Sequence, residues 1–438
     1  MGNKIITVLG TSPYLVVNYD NYKNCRYVQE AIVKKRWDEG IHIDEVIVIG
    51  TLASKKAHWE KLTKNERDTK ADNINNCSLK EKLNELSNEK NFKFNFIEIS
   101  EGFTENEVWE TFQKIDQEID ENDNIYLDIT HGFRYMPILF IGLLNYLKVV
   151  KNVKLEKIEY GMFEKLGYAN QVMELELEDR NAEIMELTYF DKLIELSYGM
   201  DTFLATGNPT RLTKELDGKM TELQKKYKGK NKHVTSVRGI IKNIDEFHKD
   251  TTLCRGESVN EDVQKILAKL DNLKKEENKE IELKVVEKLI EKIDILFCNF
   301  SDDEFSNLKE LLNYYCEKEM VQQGFTLLNE MIISFIIKKY KSDVTNLNEK
   351  AIVKERMRVS KIMGLAVANE KNIEQSDVVL FDKLVQEKEL LEISRNIGQH
   401  RNDINHFGMR DNSMNSKDLI RKYSIMKDKF IKLCSERE

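Results

Sequence analysis

Proline is nearly absent from this chain, at 3 of 438 residues. With so few helix breakers, long helices can run uninterrupted, and a Pro-rich linker is excluded. No stretch approaches the roughly 20 consecutive apolar residues that cross a bilayer. The start, Met1-Gly2-Asn3-Lys4, enters a strand pattern at once, without the layout of a signal peptide, so the expected compartment is the cytoplasm. Six cysteines (Cys25, Cys77, Cys254, Cys298, Cys316 and Cys434) show no C-x-x-C spacing, which speaks against a zinc site and against a secreted disulfide framework; no metal is expected. Positive charge is not in excess either. The net charge is -8, so no global field draws the chain onto nucleic acid, and any RNA contact must come from a local basic patch. Neither G-x-x-x-x-G-K-[ST] nor G-x-G-x-x-G occurs, which disfavours an ordinary nucleoside triphosphatase or dinucleotide enzyme.

What is present is 41% hydrophobic and 33% charged residues, a globular, helix-rich balance over a length that suggests two or three domains. The first part alternates short apolar runs with amphipathic stretches, the pattern of a parallel sheet with covering helices. Strands are expected over Ile5 to Leu9, Val46 to Ile49, Phe92 to Ile99, Ile125 to Ile129 and Leu155 to Phe163. Helices are expected over Arg26 to Glu39, somewhere in the charged span Lys55 to Glu89, over Glu105 to Glu121 and over Pro137 to Val149. After Leu177 the strand pattern stops, and Ile184 to Ala205 reads as a helix broken by Thr206-Gly207-Asn208-Pro209. Lys225 to Lys232 and Lys274 to Lys279 read as solvated charged breaks. Helical spacing returns in Leu308 to Tyr315, Gly324 to Lys339, Glu349 to Met363 and Leu380 to Ile393, as in a small bundle. The expected division is an α/β domain over 1–180, an all-α connector over 181–304 and an all-α bundle over 305–438.

In a doubly wound sheet, ligands sit beyond the carboxyl ends of the strands. Three loops fall there: Gly10-Thr11-Ser12-Pro13-Tyr14, Gly50-Thr51-Leu52-Ala53-Ser54 and Thr130-His131-Gly132-Phe133-Arg134. Gly10, Thr11 and Ser12 offer backbone N–H groups and hydroxyls that can hold phosphate at a helix N-terminus, or simply close a tight turn. In the third loop, Arg134 supplies a planar donor fork that matches phosphate oxygens, and Gly132 lets the backbone approach closely. The plainer reading is that Asp128 orders its own loop and His131 bonds nearby backbone.

Near the other end, Arg395-Asn396-Ile397-Gly398-Gln399-His400-Arg401-Asn402-Asp403-Ile404-Asn405-His406-Phe407-Gly408 contains R-N-x-x-x-H twice in succession. An imidazole that exchanges a proton with the 2′-hydroxyl or the leaving oxygen, and a guanidinium that stabilises the phosphorane, suffice to cut RNA without metal. DNA, lacking the nucleophile, would be spared. Arg401 and His406 lie about 140° apart around an ideal helix, so one helix cannot aim both at one phosphate unless it ends or distorts there. Two copies meeting across a two-fold axis would complete such a site. The plainer reading is a solvated helix end.

Taken together, Gly10 to Tyr14, Asp128 to Arg134 and Arg401 to His406 resemble the CARF–HEPN ribonucleases that accompany type III CRISPR systems. Gly102-Phe103-Thr104 with Trp109 and Phe112, and Glu186-Leu187-Thr188 through Thr206-Gly207-Asn208, fall at comparable places. The resemblance implies a Rossmann-like CARF sensor over 1–180 that dimerises and binds a cyclic oligoadenylate, with tetra-adenylate favoured. It implies a HEPN domain over 305–438 that acts as a metal-independent endoribonuclease on single-stranded RNA, leaving a 2′,3′-cyclic phosphate. Carried over residue by residue, Gly10, Thr11, Ser12, Thr130, His131, Gly132 and Arg134 fall in the ligand motifs, and Arg401, Asn402 and His406 in the catalytic one. The tandem Arg395, Asn396 and His400 copy departs from the family pattern. No catalytic cofactor, membrane or stable DNA partner is implied, and a homodimer or larger homo-oligomer is. Two other readings are a ligand-sensing transcription regulator, for which no helix-turn-helix is evident, and a degrader of cyclic oligoadenylate in which Thr11, Ser12 and Thr130 position a ribose.

Overall fold

The computed structural model describes residues 1–60, 74–275, 281–340, 349–370 and 372–436. They fall into two units, Met1–Ile194 and Glu195–Glu438. In the first, the strand β1 (Asn3–Leu9) is buried along nearly its whole length. That is what a central parallel strand requires, because helices cover both faces. β4 (Glu45–Thr51) and β5 (Lys93–Ile99) lie to one side of it, and β6 (Asn124–Asp128) and β7 (Lys154–Gly161) to the other. All five run parallel. Alternation sends Ile5, Val46 and Val48 to one apolar layer and Ile6, Val8, Ile47 and Ile49 to the other. The helices α1 (Val28–Asp38) and α3 (Leu79–Lys90) pack on the first layer, and α4 (Glu105–Gln117) and α5 (Met136–Val150) on the second.

The expected five strands are present, each end within two residues of its reading. Four short strands are not anticipated: β2 (Val17–Tyr19), β3 (Tyr22–Cys25), β8 (Asn181–Ala182) and β9 (Ile184–Glu186). β9 pairs antiparallel with β7, and β3, β2 and β8 form a second small sheet. The expectation that strands stop after Leu177 and that a helix begins at Ile184 is thereby corrected; α7 (Thr188–Thr206) starts only after β9. Strands of two or three residues are too short to display an alternation. Within the span Lys55 to Glu89, residues 61–73 lie outside the described residues. The rest holds the short α2 (Leu52–Ser54), a π-helical turn over Lys55–Trp59, and α3, whose Ser78 and Glu81 form a reciprocal capping box. The short α6 (Ala169–Glu174) follows β7.

The second unit is helical: α8 (Thr210–Lys226), α9 (Lys232–Thr252), α10 (Gly256–Lys274), α11 (Ile281–Phe297), α12 (Glu304–Glu317), α13 (Val321–Lys339), α14 (Glu349–Ala368), α15 (Val378–Gln386), α16 (Lys388–Asn405) and α17 (Ser416–Ser435). Its buried apolar side chains, from Leu196 to Cys434, form one cluster, so residues on both sides of position 304 share a core. The chain turns between α8 and α9 within the basic stretch Lys225 to Lys232, with Lys228 and Gly229 at positive φ. Much of the charged break Lys274 to Lys279 lies outside the described residues. The single helix expected over Leu380 to Ile393 is two, because Glu387 (φ −82°, ψ 62°) leaves the helical region between α15 and α16.

Candidate functional site

Strand order reverses at β1, and past the carboxyl ends of β1 and β6 lies the place where such sheets receive ligands. There Asp128 is fully buried, and its Oδ2 accepts from Thr7 Oγ1 at 2.6 Å. Its Oδ1 accepts from Thr130 N at 2.9 Å and Thr130 Oγ1 at 2.5 Å. Burial pushes this carboxyl up, and the bonds from Thr130 and Thr7 pull it back. Thr130 Oγ1 also accepts from Gly161 N at 2.8 Å. Its hydroxyl is thus committed to joining β6 to β7, and past it the loop offers mainly backbone. Gly132 has φ +118°, and a Cβ there would stand 3.0 Å from Val8 Cγ1, so only glycine fits without strain. Arg134 is exposed, with no hydrogen bond or ion pair among the described residues. α5 begins directly after it with Pro137 in its first turn, which puts the positive end of that helix at this loop.

The loop after β1 differs from its reading. No helix follows it: the chain enters β2 and β3, and α1 starts only at Val28. Gly10, Thr11 and Ser12 therefore have no helix N-terminus behind them, although Thr11 and Ser12 are exposed. Gly10 N donates to Tyr14 Oη at 2.9 Å, and Arg26 Nη1 donates to Tyr14 O at 2.8 Å, fixing the turn. A Cβ on Gly10 would lie 3.7 Å from His131 Cβ, so the two loops touch.

Tyr14 is the meeting point. Its ring packs edge-on to His131 at 4.7 Å and to His58 at 4.8 Å. His58 comes from the π-helical turn beyond β4, and its Nε2 is 3.4 Å from Thr11 O. Burial pushes His131 down to about 4 and lowers His58. Both rings are therefore neutral near pH 7 and act by hydrogen bonding, and among the described residues neither His131 Nε2 nor His58 Nδ1 has a partner. Sequence reasoning singled out the loop Gly50 to Ser54 but missed His58, four residues on. An imidazole one turn past a strand-end loop was the available signal.

Residues 4–166 match the family described as the CARF domain of CRISPR system endoribonuclease Csx1. The N-terminal unit carries a CARF domain. The chain is also 30% identical, over 139 residues, to the CRISPR-associated protein MJ1674 of Methanocaldococcus jannaschii. That match covers 31% of this chain and 20% of the relative, so the chain spans about a fifth of the curated relative's length. A CARF domain indicates ligand sensing in a CRISPR system, for a ligand of the cyclic oligoadenylate type, and the matching family's name is that of an endoribonuclease. Among the described residues, no group of three or more His, Cys, Asp or Glu side chains could hold a metal ion, and no helix is long and apolar enough to cross a membrane. On the CARF domain, Trp109 of α4 and Ile138, Ile141, Tyr146 and Val149 of α5 are exposed, with Trp109, Phe112 and Tyr146 in ring contact at 5.4 to 5.6 Å.

In the helical unit, the tandem motif lies on α16, and its two copies part company. His400 is buried, its ring 5.6 Å from that of Phe325, and burial with the nearby Lys422 lowers its pKa. Arg395 Nη2 donates to Val367 O at 2.9 Å. His400 of the first copy is thus packed, whereas Arg395 stays exposed. In the second, α16 stops at Asn405 and His406 is its C-cap, exposed, with no side-chain partner among the described residues. Arg401 is half-buried, its Nε without a partner among the described residues, and Asp403 Oδ2 accepts from Met414 N at 2.8 Å. A cleft of about 930 Å³ opens beside them. His400 and Asn402 line it, whereas Arg401 and His406 are not among its lining residues, so one chain does not gather Arg401, Asn402 and His406 into a single cavity.

Proposed function

We propose that the chain is an endoribonuclease switched on by a cyclic oligoadenylate in a type III CRISPR defence, with residues 1–180 as sensor, 181–304 as connector and 305–438 as a HEPN nuclease. The observation that carries the reading is the contrast between the two histidines of the tandem motif: His400 is buried against Phe325, and His406 stands exposed at the end of α16. In the sensor, the unpartnered Arg134 would grip a ligand phosphate with two parallel N–H donors. Gly132, the start of α5 and the His131 ring would receive its backbone. Gly10, Thr11 and Ser12 would close over it from the loop after β1, with Thr130 holding the loop in shape.

In the nuclease, the substrate's 2′-hydroxyl attacks the adjacent phosphorus, the 5′-oxygen leaves, and a 2′,3′-cyclic phosphate results. His406 would take or give the proton, Arg401 would stabilise the phosphorane charge, and Asn402 would orient the chain. The site would be composite, with a second copy of the chain completing it across a two-fold axis. The exposed apolar residues of α4 and α5 support such a homodimer. The test is cleavage of fluorescent single-stranded RNA in EDTA, with cyclic tri-, tetra- or hexa-adenylate added. Cutting with the tetra-adenylate is expected. No cutting with any of the three contradicts the reading.

A further inference from the structure

Directly after His406 the backbone does something costly. Gly408 N donates to Asp403 O at 3.0 Å and Phe407 N to Ile404 O at 2.9 Å, the paired bonds of a Schellman ending. In that motif the residue following the cap turns left-handed, and glycine normally occupies it because a Cβ is disfavoured there. Here the position is Phe407, at φ +57°, although a glycine stands one place later. Packing does not compensate, because Phe407 is 86% exposed and has no ring contact among the described residues. Two residues on, Met409 is 82% exposed. A strained backbone bearing a large side chain in water marks a position held for something other than stability.

Phe407 adjoins His406 at the rim of the cleft: it is not itself a lining residue, but Gly408, Met409 and Arg410 after it are, together with His400, Asn402 and the carboxylates of Asp403 and Asp411. We propose that Phe407 is the base-stacking platform of the cutting site: its ring receives a nucleobase of the single-stranded RNA next to the phosphate that His406 serves. Any base has a π-face, so one free ring beside polar groups and the guanidinium of Arg410 suits RNA without fixing its sequence. A second copy of the chain is the weaker occupant of this spot. One phenylalanine and one methionine among Asn402, Arg410 and Asn412 fall far short of the roughly 800 Å² per partner of a stable interface. The inference rests on the ribonuclease reading above.

The test uses the full-length chain with saturating cyclic tetra-adenylate, comparing Phe407→Gly, Phe407→Trp, His406→Ala and His400→Ala. Binding is measured with 2′-O-methylated single-stranded RNA, which cannot be cut. Loss of one stacked base is expected to weaken that binding roughly 5- to 150-fold in Phe407→Gly and to raise KM in step, with Phe407→Trp restoring both. Because glycine relieves the left-handed strain, Phe407→Gly is expected to unfold at the same temperature or higher, a result that a purely structural ring would not give. RNA binding and KM unchanged in Phe407→Gly while His406→Ala is inactive overturns the platform and leaves the nuclease reading standing. Full activity of His406→Ala removes His406 from the cutting site and overturns the platform beside it, and full activity of His400→Ala as well overturns the nuclease reading itself. Dissociation of Phe407→Gly to monomers in sedimentation, where the parent is a dimer, assigns the ring to a subunit contact and overturns the proposal.

Discussion

The sensor loops and the end of α16 are built on different scaffolds. The loops are anchored by a sheet: Asp128 and Thr7 are buried within adjacent strands, and even the loop hydroxyl of Thr130 is bonded to Gly161. The α16 end hangs on a capping turn, Phe407 to Asn412, whose side chains are exposed. The difference teaches where each site can be preorganised. On the proposed reading, a phosphate receptor would gain from rigid strand ends, because ordering is completed in folding, whereas a nuclease site on a helix end would stay incomplete until a second copy and the substrate arrive. Substitutions at one site should therefore leave the other working, and each expectation below tests that separation.

The largest effect is expected at the helix end. His406→Ala should lower activator-saturated RNA cleavage by about 10² to 10⁴ while the affinity for cyclic oligoadenylate, read by calorimetry, stays the same. Next, Arg134→Ala removes a bidentate phosphate contact of about 1.5 to 3 kcal/mol, so the activating concentration should rise about 10- to 150-fold with the maximal rate preserved. Activation at the parent concentration would remove Arg134 from the ligand site. His400→Ala should act on stability: emptying a buried ring position costs about 2 to 4 kcal/mol, visible in denaturant midpoints, with little change in cleavage while the protein stays folded. The smallest effect concerns acid. His131 has a folded pKa of about 4, below the unfolded value of 6.5, so the unfolded chain binds more protons between those values. Its contribution to stability is therefore full above pH 6.5 and is lost as pH falls towards 4. His131→Gln should flatten that limb of the stability profile. An unchanged limb would mean that other groups carry it.

Much of the sensor was legible because its physics is local. Five buried strands announce themselves as apolar runs, and Asp128 to Arg134 places an acid, a glycine and a guanidinium where a sheet offers its ligand face. β2, β3, β8 and β9 were hidden, since two to four residues carry no period, and so was the hairpin that separates Gly10 to Ser12 from any helix N-terminus. His58 was hidden by a charged neighbourhood, Lys55 and Lys56 before it and Glu60 after it, which reads as solvent-facing although the ring is buried against Tyr14. On α16 the sequence showed two copies, and it was the likeness of the second, with the Phe-Gly after it, to the family pattern that favoured it. What distinguishes them, the burial of His400 against Phe325 and the end of the helix at Asn405, depends on tertiary packing and not on spacing. The exposure of Phe407 at positive φ was equally out of reach, because Phe-Gly after a helix suggests that the glycine alone takes the left-handed turn.

The most direct test of the central claim is RNA cleavage by His400→Ala and His406→Ala, side by side, with saturating cyclic tetra-adenylate and EDTA. The expected result is that His400→Ala cuts close to the parent rate, giving 2′,3′-cyclic phosphate ends, while His406→Ala falls by at least about 10². Cleavage lost in His400→Ala and kept in His406→Ala would contradict the contrast between the two histidines of α16, and cleavage kept in both would contradict the ribonuclease site altogether.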